Sequence, residues 1–148
     1  MTTENLAEDL LMLWRLLRGL SHPVRRAEIT PEQYWLLRLL SHASSLSISE
    51  LAHELGIAAS SATVACKRLE KAGLLTRERQ ADDERMVRVA LTEQGRARIE
   101  AWRRRKREAL TDMLSVLDQD EQHELQRILE RVLEAANTRG HFTECTKK

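Results

Sequence analysis

The apolar positions near the start of the chain recur every three or four residues, which predicts an amphipathic helix over about residues 4–20. Leu11, Met12 and Leu16 add a second apolar stripe to it. A helix that is apolar on more than one face usually buries itself twice, so we expect it to pack on its own domain and on a partner. The main stripe consists of Leu6, Leu10, Leu13, Trp14, Leu17 and Leu20.

Capping signals predict where the next helices begin and end. Thr30 is followed by proline and then by Gln33 at the third helical position, and Ser47 with Glu50 repeats this capping-box pattern. Glycines at 56 and 73 are expected to end the third and fourth helices.

A switch to alternating apolar and polar positions predicts a β-hairpin after the fourth helix. Its first strand covers residues 76–79, its charged tip residues 80–85 and its second strand residues 86–91. The alternation turns Val87, Val89 and Leu91 of the second strand inward. It turns Arg88 outward. Two short helices followed by such a hairpin form a winged helix-turn-helix, so the predicted fold is mainly α with a small β-wing.

Two long helices are predicted after the hairpin, from Thr92 to about Leu117 and, after an Asp118 cap, to about Ala136. We therefore expect a winged helix-turn-helix domain over residues 30–92. A helical dimerisation layer over residues 1–29 and 93–137 and a loose tail over 138–148 complete the organisation. An intramolecular bundle without a partner is the alternative, but a two-fold partner also suits the reading of DNA.

Positive charge is concentrated in one part of the chain. The 148 residues carry a net charge of +1, yet residues 67–107 hold fourteen basic against seven acidic side chains. This segment begins in the second half of the fourth helix, which is the predicted recognition helix, and continues through the wing into the next helix. Such segregation favours contact with phosphate groups. A solvated helix face would explain the basic run at 103–107 alone, but not its coincidence with the hairpin.

The two faces of the fourth helix, predicted over about residues 59–72, differ in character. Small and apolar side chains fall on the face expected to pack on the third helix: Ala62, Ala65, Cys66, Leu69 and Ala72. The other face is expected to enter the major groove of DNA, and it carries Ser60, Thr63, Val64, Lys67, Arg68 and Lys71.

Base contacts are predicted from the first turns of this helix, which penetrate the groove deepest. The hydroxyls of Ser60, Ser61 and Thr63 can hydrogen-bond to bases, and the threonine methyl can touch a thymine methyl. Lys67 and Arg68 lie one turn later and reach a guanine edge or a phosphate. For the two serines, simple capping of an exposed helix is the alternative.

The wing and the end of the recognition helix supply the remaining predicted DNA contacts. Arg85 at the hairpin tip is expected in the minor groove, where negative potential is concentrated. Asp83 is expected to pair with it and to shape the tip. Lys71 is expected to contact the DNA backbone. Arg88, which faces outward, is also predicted to contact DNA.

At these spacings the motifs resemble those of the MarR family of bacterial transcription regulators, over nearly the whole chain. The resemblance implies a homodimer that binds a pseudo-palindromic operator in double-stranded DNA, usually to repress. It also implies release by a small, often aromatic or phenolic ligand, or by cysteine oxidation in some branches. The shared motifs are Thr30-Pro31-Glu32-Gln33, Leu55-Gly56, Leu69-Glu70-Lys71-Ala72-Gly73-Leu74, Asp83-Glu84-Arg85 and Leu91-Thr92-Glu93-Gln94-Gly95.

Two departures from the family pattern change what is expected. Val64 stands where many members have arginine, so this base contact is either apolar or absent. Ala58 replaces a frequent serine before the recognition helix, which weakens the cap. The oxidation-sensing branch has its reactive cysteine near the first helix, where this chain has none. Cys66 is expected in the core, and we therefore do not expect control by oxidation.

By resemblance, a ligand pocket lies between the dimer helices and the winged core. Trp14, Arg15 and Trp35 are the candidate lining, with Arg15 as the partner of a carboxylate. Core packing of the two tryptophans and a solvated arginine are the alternative. We expect no cofactor and no metal.

Other classes of function fit less well. A protein-interaction adaptor would expose apolar anchors rather than a basic stripe. An enzyme would show a nucleophile motif or a phosphate loop, and the five histidines lie on separate elements. No apolar run reaches the roughly 20 residues that cross a bilayer, and the start of the chain lacks a secretory signal. Cys66 and Cys145 are too few for a disulfide scaffold, so we expect a cytoplasmic protein that is not an enzyme.

Overall fold

The structure, a computed structural model, describes residues 1–138, except for the side chains of residues 83–85. The predicted fold class, mainly α with a small β-wing, is confirmed. The expected tail lies outside the described residues, apart from Thr138 at the end of the last helix. In order, the elements are α1 (Thr3–Ser21), α2 (Pro31–His42), β1 (Leu46–Ser47), α3 (Ile48–Leu55), α4 (Ala59–Lys71), β2 (Leu75–Gln80), β3 (Asp83–Leu91), α5 (Glu93–Leu114) and α6 (Gln119–Thr138).

The predicted capping boxes form and fix the helix starts. Thr30 Oγ1 accepts a hydrogen bond from the Gln33 backbone N–H at 3.2 Å, and the Gln33 side chain accepts one from the Thr30 N–H. Ser47 and Glu50 make the same reciprocal pair at α3, as do the cap residues of α6. Each box satisfies two backbone N–H groups that the first helical turn leaves unpaired.

The wing belongs to a three-stranded antiparallel sheet in the order β1-β3-β2. The sequence analysis missed β1, which has only two residues and pairs with β3 through Leu46–Val89 and Ser47–Arg88. The predicted six-residue tip is also wrong, because Gln80 pairs with Asp83 and leaves a two-residue turn. Strand pairing uses backbone groups, so exposed charged side chains do not prevent it.

The hydrophobic core lies where α2, α3, α4, the sheet and the first half of α5 meet. Its buried side chains come from all of these elements, which makes the helix-turn-helix and the wing one packed body. They include Leu36, Leu37, Leu51, Cys66, Leu75, Val89 and Ile99.

A compact joint connects the end of α4, the end of the wing and the start of α5. Thr92 Oγ1 donates to the Gly73 carbonyl oxygen at 2.6 Å and accepts from the Gly95 N–H at 3.0 Å. A Cβ at position 95 would overlap the Leu74 carbonyl oxygen. The Leu-Thr-x-x-Gly motif therefore has a structural reason: the threonine caps α5 and the glycine admits the neighbouring backbone.

The loop between α1 and α2 is fastened to α5 through the carboxylate of Glu28. Arg105 donates to both Glu28 oxygens at 2.7 and 3.2 Å, and the Trp102 indole N–H donates to one of them at 3.3 Å. Arg26 is a third donor, at 3.0 Å. Arg105 Nε also reaches the carbonyl of Ser21 at the end of α1. The end of α1, the loop after it and α5 thus share one polar cluster.

The chain divides into two compact units, residues 1–109 and the residues from 110 onward, with the boundary inside α5. In the first unit, α1 buries only Ser21. In the second, α6 buries no side chain and leaves Ile128, Leu129, Val132 and Leu133 exposed. Both helices therefore present apolar surface that their own unit does not cover. No helix within residues 1–138 is long and apolar enough to cross a membrane.

The Glu28 cluster makes stability dependent on acid. Hydrogen bonds from Arg105 lower the pKa of Glu28 from 4.5 to about 2. Its stabilising effect is therefore complete above pH 4.5 and is lost as the pH falls towards 2. We expect Glu28→Gln to lower the free energy of unfolding by about 1 kcal/mol at pH 7, since the carboxylate is partly exposed.

Urea unfolding at several pH values measures this difference. The gap between the wild type and Glu28→Gln should shrink as the pH falls from 4.5 to 2, whereas the exposed control Glu54→Gln should match the wild type throughout. A gap that is constant with pH would show that the cluster does not hold Glu28 ionised.

Candidate nucleic-acid interface

The buried face of α4 agrees with the predicted one except at its end. Ala62, Ala65, Cys66 and Leu69 are buried against the core. Ala72 was predicted on this face but is exposed, because α4 ends at Lys71 and Ala72 is already its C-cap. The small side chains allow α4 to lie close to its neighbours α2 and α3.

The opposite face of α4 is turned to solvent, where a ligand as large as DNA can reach it. Ser61 and Thr63 are half-buried at its edges, and the Thr63 hydroxyl donates to the Ala59 carbonyl at 2.8 Å. Ala58 makes no side-chain capping bond, as expected where alanine replaces the frequent serine. The exposed residues of this face are Ser60, Val64, Lys67, Arg68 and Lys71.

A groove of about 550 Å³ runs between the start of α3, the side of α4 and the wing strands. Arg77 and Arg79 of β2 line it together with Lys67 of α4. Arg77 Nε donates to Glu70 Oε1 at 3.1 Å, which ties the wing to α4. Sequence reasoning missed both arginines, although their i, i+2 spacing places them on one face of a strand. The groove adds positive charge beside the exposed face of α4.

Arg88 is not the free outward side chain that strand alternation predicted. It is half-buried, and its guanidinium donates to Ser45 Oγ at 3.0 Å and to the Ser45 carbonyl at 3.1 Å. The missed strand β1 pairs beside it and brings the preceding loop into reach. The side chains of Asp83 and Arg85, and hence the predicted tip pair, lie outside the described residues.

Cys66 is a core residue, as predicted. It is completely buried, and this burial raises the pKa of its thiol to about 11. A thiol without thiolate character or access to solvent reacts slowly with oxidants. Cys145 lies outside the described residues. Among the side chains that the structure describes, no three His, Cys, Asp or Glu groups cluster as metal ligands.

The two candidate pocket tryptophans are exposed, so core packing within the chain does not explain them. Trp14 is 52% exposed and Trp35 is 50% exposed. Each has an arginine over its ring, Arg18 at 4.5 Å from the Trp14 centroid and Arg38 at 5.5 Å from the Trp35 centroid. Arg15 is exposed on α1 and is not the cation stacked on either ring.

The structure also contains a buried aromatic cluster, which the sequence analysis did not predict. Tyr34 lies between His22 and Trp102, with ring centroids 4.5 and 5.9 Å away. Burial is also the main reason that the pKa of His22 is lowered. The cluster joins residues far apart in sequence, so periodicity along one helix could not reveal it.

Comparison with known proteins shows which family the chain is similar to. The sequence profile of the MarR family matches residues 29–87. The HTH-type transcriptional regulator YdgJ of Bacillus subtilis, described as uncharacterized, is 35% identical over 104 residues, which are 70% of this chain and 63% of YdgJ. This chain therefore spans less than two thirds of that relative. The HTH-type transcriptional repressor MdtR of the same species is 28% identical over 74% of this chain and 71% of MdtR.

Solved structures agree on the fold. The transcriptional regulator Tm0710 of Thermotoga maritima has a TM-score of 0.81 at 23% identity, covering 95% of this chain and 100% of that one. A point variant of Staphylococcus aureus MepR was solved bound to an oligodeoxyribonucleotide. It has a TM-score of 0.72 at 22% identity, and the match covers 91% of this chain and 98% of that one. The chain thus matches the MarR family of winged helix-turn-helix transcriptional regulators over residues 29–87.

Proposed function

We propose that this protein is a homodimeric transcriptional repressor that binds a pseudo-palindromic operator in double-stranded DNA and is released by a small aromatic or phenolic ligand. The observation that carries DNA binding is the division of α4, whose apolar face is buried while its hydroxyl-bearing and basic face is exposed. A helix mounted in this way beside a wing can be inserted into a major groove. Among similar proteins, MdtR is named a repressor and the MepR variant was solved on an oligodeoxyribonucleotide.

In this proposal the exposed face of α4, which we call its reading face, contacts both bases and phosphates. Its N-terminal turns meet base edges, and its basic C-terminal half meets phosphates or a guanine. The groove beside it supplies Arg79 as a further phosphate contact, while Arg77, paired with Glu70, holds β2 beside α4. The contact set on α4 is Ser60, Ser61, Thr63, Val64, Lys67, Arg68 and Lys71.

The wing has two roles in the proposal. Arg85 enters the minor groove, with Asp83 shaping the turn that carries it. Arg88 holds the wing to the loop before β1, because its guanidinium is already bonded to Ser45. It therefore supports the wing and contributes to DNA binding indirectly.

Dimerisation uses segments 1–29 and 93–137. Support comes from α1 and α6, each of which leaves apolar side chains exposed within its own unit. Burial of such side chains stabilises an interface by about 25 cal/mol per Å² of apolar surface before the costs of association. Residues 30–92 then form the DNA-binding domain, and two copies related by a two-fold axis suit a pseudo-palindromic operator.

Ligand control is proposed at Trp14, Arg15 and Trp35. Exposed aromatic rings and nearby guanidinium groups suit a flat ligand that carries a carboxylate. Arg18 and Arg38 already lie over the two rings and extend the set of candidate cations. A ligand that releases DNA must bind free protein more tightly than DNA-bound protein.

DNA binding is tested with Lys67→Ala and a matched control, Arg98→Ala, which removes an exposed positive charge from α5. The full-length protein is first used to select tight-binding duplexes from a random pool. On the selected duplex, Lys67→Ala should weaken binding about tenfold and reduce the slope of log K against log salt by about one. Arg98→Ala should change neither quantity.

Two results would contradict this prediction. Failure to enrich any sequence from the pool would remove the operator from the proposal. Equal losses for Lys67→Ala and Arg98→Ala would mean that binding depends on overall charge and not on the face of α4.

Dimerisation is tested by analytical ultracentrifugation of the full chain. The wild type should sediment at twice the mass of one chain, and Val132→Asp should weaken the dimer at least tenfold because it buries a charge. Glu130→Gln, an exposed polar change on the same helix, should leave the dimer intact. A wild type that remains monomeric at micromolar concentration would contradict the prediction.

Ligand control is tested by adding hydroxybenzoate isomers to the protein–operator complex. At least one should release DNA and quench tryptophan fluorescence, and Arg15→Ala should raise the concentration needed. Arg25→Ala, which removes an exposed arginine of the α1–α2 loop, serves as the matched control. Quenching with unchanged DNA affinity would show binding without control.

A further inference from the structure

Val64 is an apolar side chain in the middle of an otherwise polar exposed face. It lies in the second turn of α4 and is 49% exposed, while the other large apolar side chain of the helix, Leu69, is buried. Its neighbours one turn away on the same face are Ser60, Lys67 and Arg68. A single exposed valine is common on protein surfaces, but this one sits where the proposed function places a base pair.

Thr63, next to Val64, has its hydroxyl proton committed inside the helix. The hydroxyl donates to the Ala59 carbonyl at 2.8 Å, so it has no proton left for a base acceptor. Its γ-methyl group is then the part best suited to outward contact. Thr63 and Val64 together supply adjacent methyl groups within the reading face.

The hydroxyl and basic groups around this pair can fix it against a base pair. Val64 shares a depression of about 310 Å³ with Ser60, Ser61 and Arg68 of α4, each of which can bond to a phosphate or base edge. The start of α2 closes this depression with Thr30, Glu32 and Gln33. Thr63 and Lys67 line the neighbouring groove on the other side of the helix face. The methyl groups thus lie between two rows of polar side chains.

Base chemistry decides what such a patch can recognise. The 5-methyl group of thymine is the one methyl group on the major-groove edges of the four bases. Guanine, adenine and cytosine offer valine no such group, so a valine against them excludes water from base donors or acceptors without gaining a methyl contact.

We infer that Val64, with the methyl group of Thr63, recognises the 5-methyl group of a thymine in each operator half-site. The inference rests on the proposed function and specifies the sequence that its reading face prefers. Val64 acts here as a specificity residue through apolar contact, and Lys67 and Arg68 provide affinity around it.

The test replaces single dT nucleotides of the selected duplex by dU, which removes only the 5-methyl group. For the wild type, a dT-to-dU change should weaken binding about fourfold in each half-site, the effect of one methyl group leaving an apolar contact, and hence about sixteenfold when both half-sites carry it. Val64→Ala should bind the dT duplex about as weakly as the wild type binds the dU duplex, and it should lose no further affinity on dU.

Ser60→Ala is the matched control, because it changes an exposed residue on the same helix face and keeps Val64. It should weaken binding but retain the fourfold sensitivity to dU. Circular dichroism melting verifies that Val64→Ala is folded, which is expected because the side chain is exposed and alanine favours helix.

The outcomes separate this inference from the proposed function. If the wild type selects a sequence but is insensitive to dU at every thymine, or if Val64→Ala remains as sensitive as the wild type, the thymine contact is overturned while DNA binding stands. If no sequence is selected at all, the proposed function itself fails.

Discussion

Burial of the small side chains along one face of α4 is the constraint on which the rest of the structure depends. Ala62, Ala65 and Cys66 allow this helix to lie close to its neighbours, and Leu69 anchors it in the core. Larger side chains there would force the backbone apart, at a cost of about 1–3 kcal/mol each. Because one face must be buried, the serine, valine and basic side chains of the other face are held outward on a rigid helix.

Polar contacts between distant segments then fix what surrounds α4. Arg77 and Glu70 tie the wing to the recognition helix, and Thr92 joins the end of α4 to the start of α5. Glu28 and Arg105 connect the loop before α2 with α5. Each pair joins two elements of the fold by hydrogen bonds that add to their packing. Together they hold Arg77 and Arg79 of the wing beside the exposed face of α4.

Local features were predictable from the sequence because their causes are local. Capping boxes act over three residues and helical faces over four, so the helix starts at Thr30 and Ser47 and the burial of Cys66 followed directly. What was missed depends on contacts across the fold. The short strand β1 exists through pairing with β3, and this pairing removes Arg88 from the exposed surface.

The buried cluster of Tyr34 with His22 and Trp102 depends in the same way on segments far apart in the chain. The candidate DNA-reading residues of α4 were accessible to sequence reasoning because a single helix carries them. The arginines of β2 became visible only when the strand was placed beside that helix.

Hydroxyl-radical footprinting of the full-length protein on its selected duplex tests the central claim most directly. A two-fold pair of α4 helices inserted in successive major grooves should protect two symmetric stretches whose centres lie one helical turn apart, about 10 base pairs. Protection of one stretch only, or uniform protection without symmetry, would contradict a dimer that reads DNA through α4.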